Sequence, residues 1–209
     1  MDIEYKGGNC VVINCRKNLF VTDPKLSDLG LKDQGGDANT ILLTQARFAS
    51  NSRSESLVVD GPGEYEVSNC SIKGIAARRY SAEEGNLEAT IYRLDSDDIS
   101  LAVLGHVHPQ LSDSQLEEIG VVDVLVVPVG NHGYTLDPKE VVDLIRAIEP
   151  KIVIPTHFAE PGVNYEVPQL ELDSFLGEIS AEHVNLSKLK LKPGQLPAQL
   201  TVYHLERSK

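Results

Sequence analysis

The feature that most constrains the fold lies between residues 124 and 155, where two apolar runs flank one strongly marked helix. Val124 to Val129 and Ile152 to Pro155 carry no charged or amide side chain. Between them, Asp137-Pro138-Lys139-Glu140 has the pattern of a helix start. Asp137 can accept from the free N–H groups of the first turn, Pro138 has no N–H to leave unpaired, and Glu140 can reach back to the cap. Val141, Leu144, Ile145 and Ile148 then recur at helical spacing, and Pro150 stops the helix. Strand, helix and strand in this space make a βαβ unit, whose strands run parallel. Parallel strands are covered on both faces, so the chain must supply further layers.

The first half supplies them as β-structure. Cys10 to Asn14 and Leu19 to Thr22 are short apolar runs joined by Arg16-Lys17-Asn18, which predicts a hairpin ended by Asp23-Pro24. Thr40 to Thr44 and Leu57 to Val59 read as strands, the latter stopped by Gly61-Pro62-Gly63. Cys70 to Ala76, Thr90 to Leu94 and Ile99 to Leu104 continue the pattern, with a turn over Asp95 to Asp98. Ser114-Gln115-Leu116-Glu117 predicts a capped helix ending at Gly120. A last helix is expected over Leu170 to Ile179 and a closing strand over Thr201 to Leu205. Strands first, then strands alternating with helices, indicate an α/β domain of sheets with helices outside them. No repeat or long linker divides it, so residues 1–209 read as one domain.

Composition narrows the function. A net charge of −12 opposes phosphate backbones and disfavours general nucleic-acid binding. The apolar run from Val121 to Val129 is broken by Asp123 and Pro128 and is too short for a bilayer. Met1 to Tyr5 lacks the start of a signal peptide, so a cytoplasmic location is expected. Cys10, Cys15 and Cys70 are odd in number and sparse, which fits buried free thiols.

In open α/β sheets, ligands gather beyond the carboxyl ends of strands. Three expected strands end in Gly105-His106-Val107-His108, Gly130-Asn131-His132-Gly133 and Thr156-His157-Phe158. Four of the six histidines therefore follow strand ends. Imidazole is both a common metal ligand and a general base near neutral pH.

Three stretches resemble one branch of the metallo-β-lactamase superfamily, the Zn-dependent hydrolases similar to ascorbate-6-phosphate lactonase. They are Asp60-Gly61-Pro62-Gly63-Glu64-Tyr65-Glu66-Val67, Asp123 to Gly130, and Glu149 to Phe158. Order and spacing agree from about Tyr5 to Ile179. The resemblance implies a four-layer αββα sandwich with its active site at one edge of the two sheets. It also implies an H-x-H-x-D-H zinc motif after a strand ending in Leu-Leu-Thr. This chain keeps Ile41-Leu42-Leu43-Thr44 but continues Gln45-Ala46-Arg47-Phe48-Ala49-Ser50. Gln45, Arg47, Ala49 and Ser50 stand where the motif has His, His, Asp and His. Arg79 stands at a further histidine position, His106 at the bridging aspartate, and His157 alone retains its ligand. Charged arginine and alanine cannot ligate zinc.

The resemblance thus implies a cleft lined by Gln45, Arg47, Arg79, His106, His132 and His157, with the standard dinuclear zinc centre largely lost. One reading is a metal-free pocket for a small anion, in which Arg47 and either Arg78 or Arg79 replace the metal charge. The other is a hydrolase of esters or lactones with a rebuilt mononuclear zinc site, drawn from His106, His108, His132 and His157, with Asp23 or Asp60 as an added carboxylate. Serine catalysis has little support, since no G-x-S-x-G elbow is present and Ser50 has no evident base. The resemblance permits a homo-oligomer.

Overall fold

The structure is a computed structural model that describes residues 1–51, 55–96 and 98–208. In chain order the strands begin with β1 (Asp2–Gly7), β2 (Cys10–Cys15), β3 (Asn18–Thr22), β4 (Thr40–Leu42) and β5 (Leu57–Val59). Next come β6 (Gly63–Val67), β7 (Cys70–Ala77), β8 (Ala89–Ser96) and β9 (Ile99–Val103), then helix α1 (Asp113–Ile119). The βαβ unit follows as β10 (Val124–Pro128), α2 (Pro138–Ile148) and β11 (Ile152–Thr156). Helix α3 (Leu172–Leu176) and strands β12 (Glu182–Leu186), β13 (Leu189–Lys190) and β14 (Thr201–Leu205) complete the chain.

The strands form two sheets. The six-stranded sheet has the order β13-β1-β2-β3-β4-β5, and the eight-stranded sheet the order β12-β14-β11-β10-β9-β8-β7-β6. β9, β10, β11 and β14 run parallel, with Val124 opposite both Leu101 and Ile152. β3, β4 and β5 are also parallel. Every residue of β10 and β11 is buried, as strands covered on both faces require. β1 instead alternates, with Ile3 and Tyr5 inward and Asp2, Glu4 and Lys6 toward solvent. Its inward residues meet Ile72, Ile75 and Ile91 in a core shared by both sheets. Tyr92 crosses that core from β8 and shares its hydroxyl between the carbonyls of Leu43 and Val59, each at 2.9 Å.

Helix α2 begins as the sequence indicates. The Asp137 carboxylate accepts from the Lys139 N–H at 2.9 Å, and Glu140 accepts from the Asp137 N–H at 2.8 Å. It presents Val141, Leu144, Ile145 and Ile148 to the core. The cap of helix α1 lies two residues earlier than expected, because Ser112 and Gln115 form the capping box and Ser114 falls inside the first turn. Two overlapping S-x-x-Q/E patterns compete there, and the earlier one wins. Helix α3 is shorter than the expected span from Leu170 to Ile179. The Leu170 N–H donates to the Gly130 carbonyl and its own carbonyl accepts from Ala159, so the backbone is held in strand-like pairing until Glu171. The expected turn over Asp95 to Asp98 is tighter than read, since β8 runs to Ser96; Asp97 lies outside the described residues.

The outer layers are unequal. All three helices belong to the eight-stranded side, where α1 contacts β7 and the helices touch one another in sequence order. The outer face of the six-stranded sheet is covered by the segment after β3, which carries a 3₁₀ turn at Ser27–Leu29. Leu26 packs there with Val21, Ile41 and Leu43 in a second apolar cluster. Cys10, Cys15 and Cys70 are buried free thiols. Among the described residues no helix is long and apolar enough to cross a membrane.

Candidate functional site

The parallel strands bring their carboxyl ends to one edge of the sandwich. Asp23 follows β3, Thr44 and Gln45 follow β4, His106 follows β9, Gly130 and Asn131 follow β10, and His157 follows β11. Several of these positions adopt left-handed backbone without being glycine: Asp23 at φ 41°, Asn131 at 64°, His132 at 59° and His157 at 50°. Such strain persists only where the surroundings hold it, and it clusters at functional sites. The His157 N–H is held by the Gly8 carbonyl at 2.8 Å.

His106 and His157 meet edge to face, with ring centroids 4.6 Å apart. Both are buried, yet neither nitrogen of His106 has a hydrogen-bond partner among the described residues. Leaving a buried polar group unpaired costs about 1–3 kcal/mol. The partners of His157 fix its tautomer. Gln169 donates its amide hydrogens to the carbonyls of Val167 and Pro168, so its oxygen is free to accept. That oxygen lies 3.2 Å from His157 Nδ1, which must therefore carry the proton and leave Nε2 with its lone pair.

Gly130 makes this contact possible. A Cβ at Gly130 would stand 2.2 Å from both the Gln169 oxygen and the His157 carbonyl. Replacing Gly130 with alanine is expected to push Gln169 away and cost about 1–3 kcal/mol, the usual penalty of overpacking. A lower denaturation midpoint together with a changed ring-nitrogen shift for His157 checks it. An unchanged His157 signal would show that Gln169 does not set the tautomer.

Around the imidazoles stand Phe48, Tyr134 and Tyr165. Phe48 lies 5.0 Å from His106, Tyr134 lies 5.1 Å from His106 and 5.4 Å from His157, and Tyr165 lies 4.5 Å from His157. Arg47 is exposed at the rim. Its guanidinium sits over the Phe48 and Tyr134 rings at 4.7 and 5.1 Å and donates to the Tyr134 hydroxyl at 2.8 Å. Together these groups line a cavity of about 140 Å³ that Asp23 also reaches.

Asp23 is committed elsewhere. Its carboxylate accepts from the Asn9 amide at 2.9 Å, the Thr44 N–H at 2.8 Å and the Thr44 hydroxyl at 2.6 Å. The Thr156 hydroxyl donates to the same Asn9 side chain at 2.8 Å, which carries the network into the second sheet. Burial pushes the Asp23 carboxyl up to about 6, against the pull of these donors. Burial lowers the His157 imidazole to about 4, opposed by the Gln169 contact. Burial also holds His106 well below the usual histidine range, helped by His157 and Arg47. Both rings are therefore neutral at pH 7.

The other expected residues stand apart. Gln45 and Arg79 line a neighbouring groove with Asp60, Pro62 and Glu88, a groove that Arg47 also borders. The Arg79 guanidinium lies 3.8 Å from Glu88. His132 is exposed beyond its turn and does not line the cavity. His108 lines a third groove with Arg78. Extended-chain parity predicts that His106 and His108 share a side, but Gly105 turns the chain at φ 63° and Val107 then pairs with Arg79. The four-histidine set therefore divides into a buried pair and two separate outer rings.

Comparison with known proteins gives this arrangement its family. A profile of the beta-lactamase superfamily domain matches residues 2–157. The chain belongs to the beta-lactamase superfamily. Among curated proteins none matches the sequence. Among solved structures, the chain is similar to a metallo-β-lactamase-superfamily protein from Thermotoga maritima assigned to the Zn-dependent hydrolases. They share 25% identity, 98% of each chain is covered and the TM-score is 0.77. It is also similar to an isothiocyanate hydrolase from Delia radicum gut bacteria, at 9% identity, 85% and 90% coverage and a TM-score of 0.62. A metallo hydrolase from Ignicoccus hospitalis matches at 14% identity, 79% and 86% coverage and 0.55.

The superfamily implies zinc, and the donor set here does not fit a dinuclear centre. Among the described residues no group of three or more His, Cys, Asp or Glu side chains is placed to hold a metal. The buried Gln45 amide nitrogen has no partner among the described residues, and the cation of Arg47 stands at the rim of the cavity. No sequence motif marks Phe48, Tyr134, Tyr165 or Gln169 as lining the site. Tyr134 sits four residues beyond Gly130, close to a motif that was recognised, whereas Tyr165 and Gln169 lie in a stretch without periodicity.

Proposed function

We propose that this superfamily member uses the cleft as a metal-free pocket for a small anionic molecule, with the standard dinuclear activity lost. The observation that carries the reading is the buried His106, unpartnered at both nitrogens and facing His157 in a cavity with Arg47 at its rim. Among the described residues no carboxylate lies within ion-pair distance of Arg47, which donates to the Tyr134 hydroxyl and acts on the buried Asp23 carboxyl only at longer range. A guanidinium suits carboxylate or phosphate oxygens.

The test is metal content by mass spectrometry on tag-free protein made with added zinc, followed by NMR of the histidine rings during titration with acetate and phosphate. Substoichiometric zinc, with His106 and His157 signals that move on anion addition and stay still in Arg47→Ala, is the expected result. The adjacency of His106 and His157 favours one other reading, a mononuclear metal site acting on esters or lactones, which would require the exposed His132 to swing in from its turn. Near-stoichiometric zinc that disappears in His157→Ala would replace the proposal with that one.

A further inference from the structure

We propose that the ligand is a planar monocarboxylate with one aromatic ring and a hydroxyl opposite the carboxylate, the hydroxybenzoate class. This inference rests on the metal-free reading of the cleft and narrows its ligand by size, shape and charge.

Size comes first. The cavity of about 140 Å³ is close to the roughly 150 Å³ void that accepts a benzene ring. Shape follows from its walls. Five rings line it, those of Phe48, Tyr134, Tyr165 and the two histidines, and Leu26 and Leu29 add apolar surface. Aromatic walls favour a flat partner that can stack offset or meet ring edges. A tetrahedral, strongly hydrated anion gains little from such walls.

Charge selects further. Lys25 borders the cavity but is paired with Asp28 at 2.9 Å. Glu166, Asp28 and the buried Asp23 also line the wall, and three acidic side chains oppose a multiply charged guest. Arg47 is therefore the cation available, which suits one negative charge on an otherwise apolar body. Arg47 is already oriented by the Phe48 and Tyr134 rings beneath it.

The polarity of the cavity gives the ligand its direction. Arg47 is exposed at the rim, whereas His106 and His157 are buried. The carboxylate belongs at the rim and a polar group belongs at the buried end. His157 Nε2 can accept a hydrogen bond, and neutral His106 brings one donor and one acceptor nitrogen. A ring hydroxyl both donates and accepts, so it answers the two imidazoles together. A ring without that hydroxyl leaves His106 unpaired.

The experiment is isothermal titration calorimetry on the full chain, with histidine-ring NMR as a site-specific readout. The probes are 4-hydroxybenzoate, benzoate, cyclohexanecarboxylate, acetate and inorganic phosphate. We expect 4-hydroxybenzoate to bind about tenfold more tightly than benzoate, as one satisfied buried hydrogen bond allows. Benzoate should in turn exceed cyclohexanecarboxylate, and phosphate should be the weakest. Arg47→Ala should lose about tenfold or more in 4-hydroxybenzoate affinity, and Glu166→Gln should strengthen it. Both side chains are at the rim, and melting curves of the two variants verify that they fold.

Phosphate or acetate binding better than any ring carboxylate, with loss in Arg47→Ala, overturns the aromatic class and leaves the anion pocket standing. Equal binding of benzoate and cyclohexanecarboxylate also overturns the aromatic class. No shift of His106 or His157 with any of the five probes overturns both readings.

Discussion

Replacing Asp23 with alanine is expected to destabilise the protein by several kcal/mol, since each buried donor left unsatisfied costs about 1–3 kcal/mol. Three donors converge on this carboxylate, and the change leaves the Asn9 amide, the Thr44 N–H and the Thr44 hydroxyl without it. Asn9 also accepts from Thr156 at the end of β11, so the loss loosens the contact between the two sheets. Asp23→Asn keeps the shape but offers an N–H₂ group to donors, and should fall between wild type and alanine. Urea unfolding is the measurement. A midpoint that falls at constant slope reports stability alone. A shift in Asp23→Ala below about 1 kcal/mol, the net worth of one ordinary hydrogen bond, would show that water or a rotated Thr44 replaces the carboxylate.

The second large effect is on pH. The unfolded chain protonates histidine near 6.5, whereas folded His157 waits until about 4 and folded His106 until well below its usual range. Between these limits the unfolded state binds more protons, so stability is full above pH 6.5 and is lost as the pH falls toward 4. Asp23 acts in the opposite sense. Its folded carboxyl binds a proton near 6, and the unfolded one near 3.8. Its contribution is full below pH 3.8 and is lost as the pH rises through 6. From pH 6 down to 4 two histidines therefore work against one carboxyl. The net difference of at least one proton, to which the lowered His108 and His204 imidazoles add, predicts a loss of at least about 1.4 kcal/mol per pH unit on acidification. Urea midpoints at pH 7, 6 and 5 read this slope. Asp23→Asn removes the opposing group, so it should steepen the slope toward two protons. A stability that stays flat or rises on acidification would mean that the imidazoles are not held neutral.

How much of this was legible beforehand depends on how local the determining physics is. The βαβ unit was legible because Asp137, Pro138 and Glu140 act within one helical turn, and because β10 and β11 are apolar throughout. The displaced start of α1 was ambiguous, since Ser112 and Ser114 both have a glutamine or glutamate three residues on. The shortened α3 was not readable, because the Gly130 carbonyl that claims the Leu170 N–H lies forty positions away in the chain. β1, β6, β12 and β13 went unread as strands. β13 has two residues, and β6 and β12 each carry charge in a short run.

The site divides in the same way. His106 and His157 could be placed at one edge from the sequence because strand ends in a parallel sheet gather there, whereas their closeness and the place of Arg47 followed only from the family resemblance. Gln169 could not, since its role depends on a close approach that only Gly130 allows. His108 and His132 were grouped with the buried pair because extended parity and strand-end position ignore the left-handed turns at Gly105, Asn131 and His132.

The order of the strands also bears on aggregation. An unpaired sheet edge is a template for another chain, and length, flatness and apolar character make it dangerous. The six-stranded sheet ends in β13 and β5, which offer only two and three residues. Leu57 and Val58 on β5 are exposed, but so short an edge gives a second chain few N–H and C=O groups to join. The eight-stranded sheet ends in β6 and β12, where the exposed positions hold Glu64 and Glu66 on one side and Glu182, His183 and Asn185 on the other. Chains approaching through β6 would set carboxylates against carboxylates. The molecule thus places its longest apolar strands in the middle of a sheet and leaves at the margins only brief or charged ones, which favours discrete particles over fibrous growth at high concentration.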